Sequence, residues 1–143
     1  MGPAMLGHLY EQQDCSAARA LELVGERWSL LILRDAMFRG STRYTEFMKT
    51  LEIAPNILSK RLSGFVEAGL MTLGADGQYR LTDKGLEFKP TIMALTAWGD
   101  KWVRPGPVDF ISAETGELVS VETRAADGQR IEDMAAIKVK RRS

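Results

Sequence analysis

PNILSKRLSGFVEAG, residues 55–69, followed without a break by LMTLGADGQYRLTD, residues 70–83, is the stretch that decides the fold. Pro55 suits the first position of a helix, where its missing N–H is no loss. Leu58, Leu62, Phe65 and Val66 then recur at i, i+4, i+7 and i+8, the apolar stripe of a helix that Gly69 ends. At about 100° per residue, Asn56, Lys60, Ser63 and Glu67 fall on the other face. The expected helix is half buried and turns short polar groups and a lysine outward. Two extended runs follow, residues 70–73 and 78–81, joined by Gly74-Ala75-Asp76-Gly77. Asp-Gly between such runs predicts a tight hairpin.

Three more helices are legible upstream. Asp14 or Ser16 caps a first one that Gly25 stops. Residues 27–38 are apolar nearly all round, which predicts a central buried helix with Trp28 in the core. A short third helix over residues 44–50 turns Phe47, Met48 and Leu51 inward. Downstream, Thr82 and Asp83 cap a long helix reaching about residue 103, with a break expected near Lys89 because Gly85 and Pro90 lie inside it. Its later part carries Ile92, Met93, Leu95, Trp98 and Trp102. That apolar surface exceeds what a small domain needs for itself and predicts a helical partner.

Helices, a helix–turn–helix pair, a hairpin and a long helix make the order of a winged helix-turn-helix, so the expected fold class is α+β. Arg104-Pro105-Gly106-Pro107 marks a boundary. Beyond it, residues 108–111, 118–123 and 136–139 read as strands, with turns at 114–117 and 126–129. Ala-Asp-Gly-Gln occurs at 75–78 and again at 126–129, a hairpin turn used twice and not a domain repeat. The KVKRR run at 138–142 reads as a nucleic-acid clamp or, as such runs more often are, a solvated terminus. The expected organisation is an N-terminal segment 1–14 with His8 on its surface, a winged domain 15–103 that includes the dimerisation helices, and a β-rich extension 104–143.

Composition narrows the function. The 143 residues, 45% hydrophobic and 27% charged, are those of an ordinary globular protein. Nineteen Lys and Arg balance 19 Asp and Glu, which excludes a histone-like binder and an acidic disordered tail. Between residues 34 and 64, however, Arg34, Arg39, Arg43, Lys49, Lys60 and Arg61 outnumber Asp35, Glu46 and Glu52. One cysteine and one histidine make neither an intrachain disulfide nor a zinc site, so no metal or cofactor is expected. There is no Gly-rich phosphate loop and no carboxylate pair, and the expectation is a protein without enzymatic activity. The longest apolar stretch, interrupted by Arg34 and Asp35, is far too short to span a membrane, and the N-terminus does not read as a secretion signal. The expected location is the cytoplasm.

A helix packed on one side, with short polar side chains on the other, fits the major groove of double-stranded DNA. Asn56 can pair bidentately with adenine, Lys60 can reach guanine or phosphate, and Ser59 suits a base edge or the backbone. Arg43, at the start of the third helix, suits a phosphate. Arg80 is the cation nearest the hairpin tip. Arg61, on the flank of the apolar stripe, serves either DNA or a neighbouring carboxylate. Leu21, Leu95, Trp98 and Trp102 are the apolar candidates for contact with a helical partner.

Cys15, Gly25-Glu-Arg-Trp28, Leu31-Ile-Leu33, Gly40, Arg43-Tyr44, Phe47, Ile53, Pro55, Leu58-Ser-Lys-Arg61-Leu62, Gly69-Leu70, Tyr79-Arg-Leu-Thr82, Gly85, Pro90 and Trp98 together resemble the HxlR family of bacterial winged-helix regulators, relatives of the MarR type. The resemblance covers residues 15–102. It implies a homodimer, its N-terminal and long C-terminal helices packed across a two-fold axis, on a pseudo-palindromic operator with one recognition helix per half-site. Some family members sense oxidants through a cysteine at the position of Cys15. The thiol there is a candidate redox sensor, through a sulfenic acid or a disulfide to the partner subunit. A small-molecule effector at a seam lined by Trp98 and Trp102 is a further candidate. Three features depart from the family: Ala54 where a serine often caps the recognition helix, a shorter wing with Asp76 at its tip, and Gly64 inside the recognition helix, which weakens it by ~1 kcal/mol relative to alanine. The short acidic wing keeps a second reading open, a winged helix used only for protein–protein contact.

Overall fold

The computed structural model describes residues 12–143, so the N-terminal segment up to residue 11, His8 included, lies outside the described residues. The described residues form two compact units that divide between Ile92 and Met93. The first is the winged helix-turn-helix. It runs α1 (Ser16–Val24), α2 (Ser29–Phe38), α3 (Tyr44–Leu51), α4 (Pro55–Glu67), β1 (Met71–Leu73), β2 (Tyr79–Leu81), α5 (Asp83–Leu86) and the start of α6 (Lys89–Trp102). Its core is a single cluster that includes Ile32, Leu33, Phe47, Leu58, Leu62, Phe65 and Leu70, all fully buried. Trp28 is partly buried against it.

Two boundaries differ from the expectation for local reasons. The N-cap of α1 is Cys15, in extended conformation, whose carbonyl accepts from Arg19 N–H; the Asp14 carboxylate instead pairs with the Arg19 guanidinium at 2.7 Å. Helix α2 begins at Ser29, not at residue 27, because Glu26 closes a turn ahead of it: its side chain accepts from Trp28 N–H and its carbonyl from Ser29 N–H. The break expected near Lys89 is present, between α5 and α6. Thr82 caps α5, its hydroxyl accepting from Gly85 N–H.

Asp35 ties α2 to α3. Its carboxylate is fully buried and accepts from Arg34 Nε at 2.9 Å and from Thr50 Oγ1 at 2.6 Å, while Arg39 approaches within 3.4 Å. A buried charge is tolerated only with such a set of donors. The network joins α2 to α3 where apolar packing alone leaves rotation open. Beyond α4, Gly69 turns the chain with φ +80°, and β1 pairs antiparallel with β2 in the register Met71–Leu81, Thr72–Arg80, Leu73–Tyr79.

The second unit holds the rest of α6 and residues 104–143. The three strands expected there are absent among the described residues: single bridges join Ile111 to Leu118 and Arg124 to Arg130, and Met134–Ala136 is a 3₁₀ turn. The turns themselves form as read, with Gly116 and Gly128 at φ +75° and +89° and with Ser112 and Asp127 accepting backbone N–H groups. The flanking arms do not extend into a ladder because little apolar burial rewards it: Leu118 is 75% exposed and Val139 fully so. Among the described residues, no helix is long and apolar enough to cross a membrane.

Candidate nucleic-acid interface

Helix α4 buries Leu58, Leu62 and Phe65 and leaves Asn56, Ser59, Lys60, Ser63 and Glu67 exposed, as the periodicity predicts; Val66, read as the last residue of the stripe, is exposed at its edge, and Gly64 is buried instead. Among the described residues neither the Asn56 nor the Lys60 side chain makes a hydrogen bond or ion pair within the protein. Ala54 supplies no side-chain cap, Pro55 has no N–H, and the Ile57 and Leu58 N–H groups donate to the Ala54 carbonyl, so the first turn of α4 presents the Asn56 N–H and the positive end of the helix dipole.

The start of α3 is fastened to the start of α4. Tyr44 Oη donates to the Pro55 carbonyl at 2.7 Å, and Ser59 Oγ donates to Tyr44 Oη at 3.3 Å. Tyr44 therefore sets the spacing of the helix–turn–helix, a role its place in a short helix did not announce. At the same end, Glu46 Oε1 accepts from the Thr42 and Arg43 N–H groups at 3.1 and 2.8 Å. Those two donors, Thr42 first, hold its carboxyl below its ordinary range. The Arg43 side chain stays exposed beside this cap.

Arg61 is brought to Glu26 and not to the outer face of α4. Its Nε lies 3.4 Å from Glu26 Oε2, and the two side chains are 12% and 18% exposed. Of the two roles its sequence position left open, this geometry is that of the carboxylate partner.

The wing is held by a chain of polar contacts. Tyr79 N–H donates to the Thr42 carbonyl at 2.7 Å and Thr42 Oγ1 to Gln78 Oε1 at 2.8 Å, which fixes the hairpin to the α2–α3 connection. At its tip, Asp76 Oδ2 lies 2.6 Å from Arg80 Nη2 and Oδ1 lies 3.3 Å from Nη1. The Arg80 guanidinium, and after it the Gln78 N–H, holds the Asp76 carboxyl down at about 2, and the same pairing pushes Arg80 up. The pair went unread in the sequence, although an Asp at the hairpin tip four residues before an Arg on the returning strand was a signal for it.

In the second unit α6 exposes Leu95, Trp98 and Trp102 at 55%, 60% and 65%. In the first, Leu21 is also exposed, and so is Cys15.

A family model described as HxlR-like helix-turn-helix matches residues 23–107. Rv3095 of Mycobacterium tuberculosis, named an HTH-type transcriptional regulator and itself uncharacterised, is 43% identical over 115 residues, 75% of this chain and 71% of its own. The crystal structure of PA1607, described there as a proposed transcription factor, has a TM-score of 0.81 at 37% identity, over 93% of this chain and 99% of its own. The quinone-bound structure of YodB from Bacillus subtilis has a TM-score of 0.54 at 27% identity, over 62% of this chain and 99% of its own.

Proposed function

Since this chain belongs to the HxlR-like helix-turn-helix family of transcriptional regulators, we propose that it acts as a homodimeric, sequence-specific DNA-binding protein without enzymatic activity, working in the cytoplasm. The observation that carries this reading is the divided face of α4: its apolar side is in the core, while Asn56 and Lys60 stand outward and uncommitted. Asn56, Ser59 and Lys60 read base edges in the major groove, and Arg43 and the open N-terminal turn of α4 take phosphates. Arg61 positions α4 through Glu26. Arg80 meets the backbone with the edge of its guanidinium that faces Asp76 already taken.

Anisotropy titration against a pool of promoter fragments, at two salt concentrations and with unrelated duplex as competitor, tests it. Binding that survives competitor and weakens with salt supports the reading. Absence of duplex binding even at low salt supports the other one, a winged helix for protein contact, which the neutralised wing tip favours.

The exposed indoles of α6, with Leu95 and Leu21, form the dimer interface in this proposal. Large aromatic side chains at a buried seam carry much of an association energy. Trp98→Asp is expected to convert the dimer to a monomer in sedimentation and to abolish the two-half-site complex. A variant that sediments as the wild type does would remove Trp98 from the interface.

The quinone carried by YodB supports a small-molecule effector here as well. Cys15, exposed at the N-cap of α1, is the group we assign to oxidant sensing. Mild oxidation is expected to change DNA affinity in the wild type and not in Cys15→Ser; equal responses would exclude the thiol.

A further inference from the structure

The chain contains one experiment on itself. Ala-Asp-Gly-Gln forms two turns, and in both the aspartate accepts from the glutamine N–H, Asp76 from Gln78 at 3.0 Å and Asp127 from Gln129 at 2.9 Å. That bond is the property of the turn. Only the first aspartate also takes an arginine: Asp76 grips Arg80 through both carboxylate oxygens, whereas Asp127 makes no ion pair among the described residues, and the arginines near it, Arg124 and Arg130, pair with Glu122. The contact with Arg80 is therefore an addition to the turn chemistry. Gly74 makes room for it: a Cβ there would meet Asp76 Oδ1 at 2.6 Å and Arg80 Nη1 at 2.9 Å. No positive φ requires glycine at that position.

Arg80 is the only cation between residues 70 and 82. A guanidinium offers a carboxylate and a phosphate the same fork of donors, so one occupant excludes the other from that edge. We propose that Asp76 masks Arg80, occupying the edge that a DNA phosphate would take, so that the wing meets a duplex without net charge and Asp76 limits how strongly the protein holds DNA of any sequence. This rests on the DNA-binding reading of the fold. The consequence is a division of labour: affinity for the right sequence resides in α4, and the wing does not add the unselective phosphate contact that a bare arginine would supply. Non-specific affinity comes almost wholly from such contacts, each adding about 0.9 to the salt slope.

The test compares Asp76→Asn with Asp127→Asn, which removes the same charge from the same turn with no arginine in its grip. Asparagine keeps the acceptor for the glutamine N–H in both. Asp76→Asn is expected to bind random duplex more tightly than Asp127→Asn and to lose more affinity between about 50 and 200 mM salt, roughly threefold for each wing on the duplex and about tenfold for a dimer that places both there. Gly74→Ala, which leaves the net charge alone and makes both side chains shift from their present contact, is expected to move in the same direction by less. Elution from heparin, a polyanion with no base sequence, reads the mask independently of DNA, with Asp76→Asn leaving at higher salt than Asp127→Asn. Coincidence of the two variants on duplex and on heparin, or weaker binding by Asp76→Asn, overturns the mask; the weaker binding would mean that the carboxylate aims the guanidinium at the backbone. Should no form bind duplex while the heparin difference persists, the DNA reading falls and the mask stands.

Discussion

Lys60→Ala and Asn56→Ala are each expected to weaken specific operator binding by about 1–3 kcal/mol while leaving the fold and the dimer intact. Both side chains are exposed on α4 and tied to nothing among the described residues, so truncating them removes no core contact. Thermal unfolding of both variants is expected to stay within about 0.5 kcal/mol of the wild type. The two substitutions separate by their salt dependence. An asparagine on adenine carries no charge, and its loss leaves the slope of affinity against salt unchanged while relaxing the preference at one base pair. A lysine on a phosphate lowers the slope by about one and weakens all sequences alike; on guanine, it also costs discrimination. Fluorescence anisotropy on operator and single-substituted operators reads both. If both variants bind as the wild type does, α4 is not the reading head.

Gly85→Ala is expected to destabilise the protein by about 3 kcal/mol, the upper part of the range for forcing an extra carbon into a packed interior. Helix propensity alone predicts the opposite sign, since alanine in a helix interior is favoured over glycine by about 1 kcal/mol. Tertiary packing decides. Gly85 is buried in α5, where a Cβ would overlap the carbonyl oxygen of Leu70 and lie 3.1 Å from Leu81 Cδ2. The Leu70 carbonyl is already the acceptor for Thr82 N–H, so it does not move aside without breaking the bond that closes the hairpin onto α5. Urea denaturation compares the two chains directly. An alanine variant as stable as the wild type would show that α5 is free to slide off β1.

Much of the winged fold was legible because its signals are short in range. The i, i+4, i+7, i+8 stripe of α4, Pro55 at its start, Gly69 at its end, Asp-Gly in the hairpin and the Gly85–Pro90 interruption are each read within one or two turns of chain, and each produced its element. The tail misled for the same reason. Its turn signals were read correctly, but strands need a partner surface to bury their alternating face, and whether one exists is not written next to the turn. Capping of α1 also escaped: Asp14 and Ser16 were the candidates, and the extended backbone at Cys15, between them, set the N-cap there.

The sequence by itself determined the order of elements, the face of α4 that is buried, the residues that face outward from it, and the family to which those residues point. Periodicity and turn chemistry are properties of neighbours along the chain, so they survive being read in one dimension. The tertiary structure alone decided what each charge is for. Arg61 went to Glu26, Arg34 and Arg39 to Asp35, Arg80 to Asp76, and Lys60 to none among the described residues. An ion pair depends on a few ångströms of separation between groups, and for the buried carboxylates on the removal of water around them. Packing fixes both quantities, and only after the chain has folded.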